Sequence, residues 1–308
     1  MEFSDVNEGE IANGMEVLSD NTNTAYKSGW SKFVNWCSLH DFSPLPAEPA
    51  TVAAWLASLA DEGKKASSID TWRSAVRKIH RNADLPDPTE HEQVKNAMRS
   101  IKRKIGSAKE KKTALLADDI KSIVDTLGNS LIDLRDKALV LWGYAGAFRR
   151  SELVGIQISD ITRVDKGFKV LIRRSKTDQE GKGMEKAIFA KPGSVYCPVK
   201  AFEDWIRASK IKDGHVFRHI NKHGELLAPL QPPAVNTILK KLVIPLGFDP
   251  NDIGGHSLRA GFVTELIKKR APVHKIMVQT GHKNYQTLRE YIRTANLFED
   301  NAAESCLD

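Results

Sequence analysis

The chain is poor in cysteine. It has three, Cys37, Cys197 and Cys306, far apart and none in a Cys-x-x-Cys pair. A disulfide-built scaffold is therefore excluded, and the scattered set reads as reduced thiols in a cytosolic, cytoplasmic protein. No stretch approaches 18 unbroken apolar residues, so no membrane-spanning helix and no membrane partner is predicted. The first twenty residues contain no Lys or Arg and thus no basic n-region of a secretory signal. Gly-x-Ser-x-Gly and His-Glu-x-x-His are absent, as is any carboxylate pair set in a motif. Those absences remove the hydrolase elbow and the zinc-protease helix from the candidate chemistries. Internal repeats and low-complexity tracts are missing too.

Positive charge is abundant and unevenly placed. Residues 1–20 carry six acids, and residues 299–308 carry four, with no Lys or Arg in either segment. With those ten acids set aside, 46 Lys and Arg face 29 Asp and Glu. A strongly basic body with acidic ends suits a polyanionic partner, most often nucleic acid.

At 308 residues the chain is long enough for two domains. Residues 1–20 read as a flexible acidic tail. Four helical patterns follow within residues 21–104. The first, about 22–40, has an apolar stripe plus one flank in Tyr26, Trp30, Phe33, Val34 and Trp36. The second, about 49–61, has Val52, Trp55, Leu56 and Leu59. The third carries Ile69, Trp72, Val76 and Ile79 and is capped by Ser67 or Ser68. The fourth, about 89–104, has Val94, Met98 and Ile101. His80 and His91 read as surface or domain-boundary residues. Residues 105–114 lie in a basic linker, within a stretch holding seven Lys or Arg from Arg99 to Lys112.

The second domain, 115–308, is predicted to be mostly helical. "LLADDIKSIVDTLG" reads as a helix capped by Asp118 or its neighbour and ended at Gly128. "SLIDLRDKALVLWGYAGAF" is apolar enough for a buried helix, and "RRSELVGI" begins a short one. The period then changes to alternation between residues 158 and 190, which predicts a small antiparallel sheet of about three strands. Helices return at about 198–210, 232–245, 257–270, 272–280 and 285–297. His215, His219 and His223 are spaced by four, but the residues around them argue strand and turn, where that spacing does not converge on a metal.

Several polar residues interrupt apolar helical settings. Arg149 and Arg150 end a buried helix, and Glu152, three residues on, can brace Arg149 from the same face. His256 and Arg259 share a face at a helix start, where an anion is welcome. Lys176 falls on a predicted hairpin and His282 on a glycine turn. Two arginines, a lysine and two histidines make a phosphate clamp, since guanidinium forks match phosphate oxygens. What the clamp lacks is a nucleophile, and tyrosine is the candidate left. Asn284 can cap a helix beginning at Tyr285. Tyr291, two turns in and on the face of Leu288 and Ile292, is better placed than Tyr285 to hold a hydroxyl still.

In order and spacing, "FRRSEL", "SKT", "HSLR", "GH" and a Tyr nine residues after that His resemble the tyrosine recombinases, or phage integrase family. "REYIRTANLF" and "HVFRHINKHGELLAP" look like its Cre-type branch. The resemblance implies a mainly α, two-domain DNA clamp: a SAM-like helical core-binding domain and a mostly helical catalytic domain with a small sheet. It implies catalytic roles for Arg149, Lys176, His256, Arg259, His282 and Tyr291, supported by Glu152. At the position of His282 the Cre branch has Trp, so there the chain follows the broad family. The implied activity is site-specific DNA recombination through a 3′-phosphotyrosyl intermediate and a Holliday junction, needing no cofactor, metal or ATP. The implied partners are double-stranded DNA with an inverted-repeat site and other copies of the chain, a dimer per site and a homotetramer on two sites. Such a protein is expected at the nucleoid. Residues 294–308 resemble a C-terminal segment that docks into a neighbouring subunit, anchored by Leu297, Phe298 and Leu307. Type IB topoisomerase-like relaxation, and a non-catalytic DNA-binding protein of the same fold, are the competing functions.

Overall fold

A computed structural model describes residues 20–106, 112–173, 183–282 and 284–295. The acidic tail before residue 20, Lys176, and the docking segment from residue 296 onward lie outside the described residues. The chain divides into two compact units, residues 1–110 and 111–308. Among the described residues the architecture is mainly helical, with one three-stranded and one two-stranded antiparallel sheet.

The first unit is built from α1 (Asp20–Leu39), α2 (Pro49–Asp61), α3 (Ala66–Asn82) and α4 (Glu92–Ile105). Phe33, Cys37, Val52, Trp55, Leu56, Ile69, Val76, Val94, Met98 and Ile101 form its core. The stripe on α1 runs through Phe33 to Cys37, because four residues return to within about 40° of the same face whereas three fall about 60° short of it. Trp36 instead stacks on Phe42 at 5.8 Å and on His40 at 4.3 Å. The third helix starts earlier than the serine caps suggested. Lys65 occupies the cap position with extended backbone, and Ser67 and Ser68 fall in the first turn. Burial of Ala66 in the core draws that extra turn into the helix.

His80 is a correction of a larger kind, since it is wholly buried rather than superficial. The Ala47 amide donates to its Nε2 at 2.9 Å, and its Nδ1 lies 2.9 Å from the Val76 carbonyl, to which it donates. Both nitrogens are thus committed in the neutral ring, and burial lowers the pKa below 6.5. A group depressed in this way contributes stability above its unfolded value of about 6.5 and loses it as pH falls. Thermal stability of the full chain should therefore drop between pH 7 and pH 5. His80→Gln should flatten that slope by at most about 1.4 kcal/mol per pH unit, the weight of one proton. A slope unchanged by the substitution contradicts the neutral assignment. His91, by contrast, is exposed and caps α4, accepting from the Gln93 amide.

The second unit opens with α5 (Ala117–Asp125), whose cap position is held by Leu116; Asp119, in the first turn, accepts the Leu116 amide at 2.8 Å. The helix stops at Asp125, short of Gly128. Thr126 and Leu127 bond three residues back, which tightens the end into a turn. Next come α6 (Leu131–Ala145) and α7 (Arg150–Gly155). Ser130 and Asp133 form a capping box on α6, whose Leu139, Val140 and Trp142 are fully buried. Strands β1 (Ile161–Val164), β2 (Gly167–Ile172) and β3 (Met184–Phe189) follow, in the order β1-β2-β3. β2 and β3 run from Gly167 opposite Phe189 to Ile172 opposite Met184.

Beyond the sheet lie α8 (Pro198–Ser209), the short hairpin β4 (Arg218–Ile220) and β5 (Leu226–Pro229), α9 (Pro232–Val243), α10 (Gly255–Lys268), α11 (Val273–Thr280) and α12 (Gln286–Ala295). α10 packs on α6, and α12 packs on α10. Backbone closeness holds α10 in place. A Cβ on Gly261 would sit 1.6 Å from the Leu115 carbonyl oxygen. No side chain fits there, so the strand of chain entering this unit lies directly on α10.

Candidate active site

The turn between α6 and α7 places the first arginine. Ala147 has φ +45°, a left-handed conformation that costs a non-glycine residue roughly 1–3 kcal/mol and persists only where its surroundings enforce it. Its carbonyl accepts from Arg259 Nη1 at 2.8 Å and from Lys186 Nζ at 3.2 Å. Arg149 follows as the cap residue of α7. The Arg149 amide donates to Glu152 Oε2 at 3.0 Å, and its Nη1 donates to Glu152 Oε1 at 2.5 Å. One carboxylate thus fixes both ends of Arg149. Burial alone pushes the Glu152 carboxyl up, but Lys186 and Arg149 outweigh it and hold it below the usual range.

The first turn of α10 brings in His256 and Arg259. A Cβ on Gly255 would meet Arg150 Cγ at 2.1 Å, so glycine lets this helix start close against α7. Arg259 is 2% exposed. Burial, and the nearby Arg149, bring its guanidinium down to about 10, still protonated at neutral pH. Its Nη2 lies 3.0 Å from His282 Nε2.

Because arginine only donates, His282 Nε2 accepts, which places the ring proton on Nδ1. Nδ1 lies 2.8 Å from Thr280 Oγ1 and donates to it, and Thr280 passes its own proton to the Ile276 carbonyl at 2.7 Å. Burial first, then Arg259, Arg149, His256 and Lys186, push His282 down to about 4. Gly281, at φ +67°, ends α11 and swings His282 into this position. Gln279, one turn earlier, ties α11 to the Ala145 and Ala187 carbonyls at 3.1 and 2.9 Å.

Tyr291 arrives from α12. Asn284 caps that helix through the Gln286 amide at 2.8 Å. Leu288 is buried against Val263, Ile267 and Ile276, with Tyr291 and Ile292 half-buried beside it. The Tyr291 hydroxyl lies 2.8 Å from His256 Nε2. Burial, with Arg259, Arg150 and Arg149, holds His256 below 6.5, so the ring is neutral at neutral pH and accepts the phenolic proton. Tyr285 stands at the helix start, 52% exposed.

The structure thus brings together Arg149, Glu152, His256, Arg259, His282 and Tyr291 from α7, α10, the turn after α11, and α12. Chemically this is a cluster of cationic donors beside a phenol that has a proton acceptor. Lys176 lies outside the described residues. Sequence reasoning missed Lys186, Thr280 and Gln279. For Lys186 a signal existed: it falls in phase with Ile188, on the inward side of "MEKAIF", where a lysine is out of place.

Residues 113–297 match the model of the phage integrase family, and residues 14–84 match the phage integrase N-terminal SAM-like domain. The chain is 36% identical over 289 residues to an integrase/recombinase XerD homolog of Selenomonas ruminantium, across 92% of this chain and 84% of that protein. It is 26% identical over 300 residues to the recombinase Cre of Escherichia phage P1, across 90% and 85%. Among solved structures, the XerH site-specific recombinase in a post-cleavage complex on difH substrate superposes with a TM-score of 0.69 at 18% identity. The match covers 93% of this chain and 80% of that one.

Proposed function

The chain belongs to the phage integrase family as a tyrosine-type site-specific recombinase, and from that premise we propose that it cuts and rejoins duplex DNA through a covalent bond to Tyr291. The observation that carries this reading is the 2.8 Å contact between the Tyr291 hydroxyl and a neutral His256, one helical turn from the buried Arg259.

In the first step the Tyr291 oxygen attacks a backbone phosphorus. A phosphorus–oxygen bond to tyrosine forms, and the bond to the 5′ oxygen breaks. His256 takes the phenolic proton, and Lys176 supplies one to the departing 5′ oxygen. Arg149 and Arg259 face the charge that grows on the non-bridging oxygens, in a buried setting already organised for it. The entering phosphate competes for Arg259 Nη2 and adds negative charge beside His282. That charge raises the proton affinity of the ring, so His282 becomes a donor to the same phosphate. The tyrosyl ester keeps the energy of the broken strand, and reversal by a second 5′ hydroxyl reseals it without ATP. Two arginines supply the positive charge, so the reaction should run in EDTA.

Exchange of strands between two duplexes needs two sites. We place a dimer on each inverted repeat and a tetramer on the pair, resolving through a Holliday junction, at the nucleoid. Selection of bound duplexes from a random library should return an inverted repeat, and two copies of it should exchange strands in the presence of EDTA. Relaxation of a plasmid lacking that repeat, with no exchange on the selected site, would replace recombination by topoisomerase activity.

A further inference from the structure

We propose that Lys186 is a positioning residue for the strand-cleavage step, one that sets where Arg149 presents its guanidinium to the phosphate. The inference rests on the recombinase reading above.

Lys186 lies on β3 and is 2% exposed, with its side chain shut off from solvent altogether. A buried lysine is costly unless its donors and charge are answered. Here all three N–H donors have partners: the Gly146 carbonyl at 2.9 Å, the Ala147 carbonyl at 3.2 Å and Glu152 Oε2 at 3.4 Å. The ammonium also stands over the Phe148 ring, 4.7 Å from its centre. Every partner belongs to the segment that leads into Arg149 or to the carboxylate that grips it. Gly146, Ala147 and Phe148 are the three residues immediately before Arg149. Glu152 receives both the amide and the guanidinium of Arg149.

The turn cannot hold itself. Ala147 is in the left-handed region, and its carbonyl is clamped between Lys186 and Arg259. Without the lysine, two carbonyls lose a donor and Glu152 loses one of its two cations. The charged groups facing Lys186 are Glu152 and Arg149 from α7 and Arg259 from α10, with the titratable but neutral His282 from the turn after α11. Burial brings the ammonium down to about 8 against the pull of Glu152, so it is largely protonated at neutral pH. With its donors committed, Lys186 has none left for a leaving group. It acts through Arg149 and not on the DNA.

The test is single-turnover cleavage of the selected site by Lys186→Met, read beside DNA half-saturation. A displaced arginine costs on the order of 10²-fold in rate, so cleavage at saturating DNA should slow by about that factor while half-saturation stays within about threefold. A lysine that acts through Arg149 also has nothing left to lose once Arg149 is gone, so Arg149→Ala/Lys186→Met should be no slower than Arg149→Ala. A lysine that merely supports the fold would slow both backgrounds alike, and that result overturns the proposal, as does a Lys186→Met rate near that of the unaltered protein. If Lys186→Met does not melt cooperatively, Lys186→Gln, which removes the charge but keeps an N–H donor and leaves Glu152 on Arg149, takes the same comparison. Absence of any cleavage by the unaltered protein would count against the recombinase reading itself, not against the role of Lys186.

Discussion

Arg259→Ala is expected to slow the first cleavage by on the order of 10²- to 10³-fold, the loss that follows removal of one preorganised donor from a developing oxyanion. Two features make this residue unusually exposed to substitution. Its guanidinium is buried, so its field is little screened, and its Nη1 holds the Ala147 carbonyl while its Nη2 holds His282 Nε2, the contact for which the proposed phosphate would compete. Lysine cannot replace it, because a single ammonium does not reproduce two separated donors in one plane. Arg259→Lys should therefore recover less than about a tenth of the lost rate. Rapid-quench measurement on a site-bearing duplex checks both variants. Full rescue by lysine would show that only charge matters there.

Tyr291→Phe is expected to abolish cleavage while leaving duplex binding unchanged. The ring packs beside Leu288 and Ile292, so phenylalanine keeps that contact. The lost hydroxyl leaves His256 Nε2 without its 2.8 Å partner, a change worth about 1 kcal/mol in stability. A cooperative melt near that of the unaltered protein, with no cleaved strand at any time, is the predicted pair of results. Residual cleavage at even a hundredth of the normal rate would mean that another group can attack. His256 is also why low pH should inhibit: its pKa lies below 6.5, so the acceptor is lost only as pH falls beneath that value.

How much of this site could be read from residue order follows from how each part is held. Arg149 with Glu152, and His256 with Arg259, are pairs three apart on one helical turn, so local periodicity alone puts them on a common face. Tyr291 was separable from Tyr285 because Leu288 and Ile292 mark the inward face of its helix. The tautomer of His282 was not legible, since it depends on Arg259, twenty-three residues away, and on Thr280 passing a proton along its own helix. Lys186 was hidden for another reason. Its partners are two backbone carbonyls, which no spacing rule announces, and a carboxylate already accounted for by Arg149. In the first unit the same distinction applies. Four helices and most core residues follow from period 3.6, whereas the burial of His80 depends on an amide thirty-three residues away, at Ala47. Cys37 is a core position that the aromatic pattern of its helix does not announce, while Trp36 beside it packs half-buried against the same core.

The central claim is that one phenol in this chain becomes covalently joined to DNA. Incubation with a nicked duplex of the selected site, from which the 5′-hydroxyl strand can diffuse away, should trap that species. Nuclease trimming and peptide mass spectrometry then read the attachment point. A nucleotide on the peptide carrying Tyr291, linked through the 3′ phosphate, is the result predicted here. A nucleotide on Tyr285, or on any side chain other than Tyr291, would contradict it.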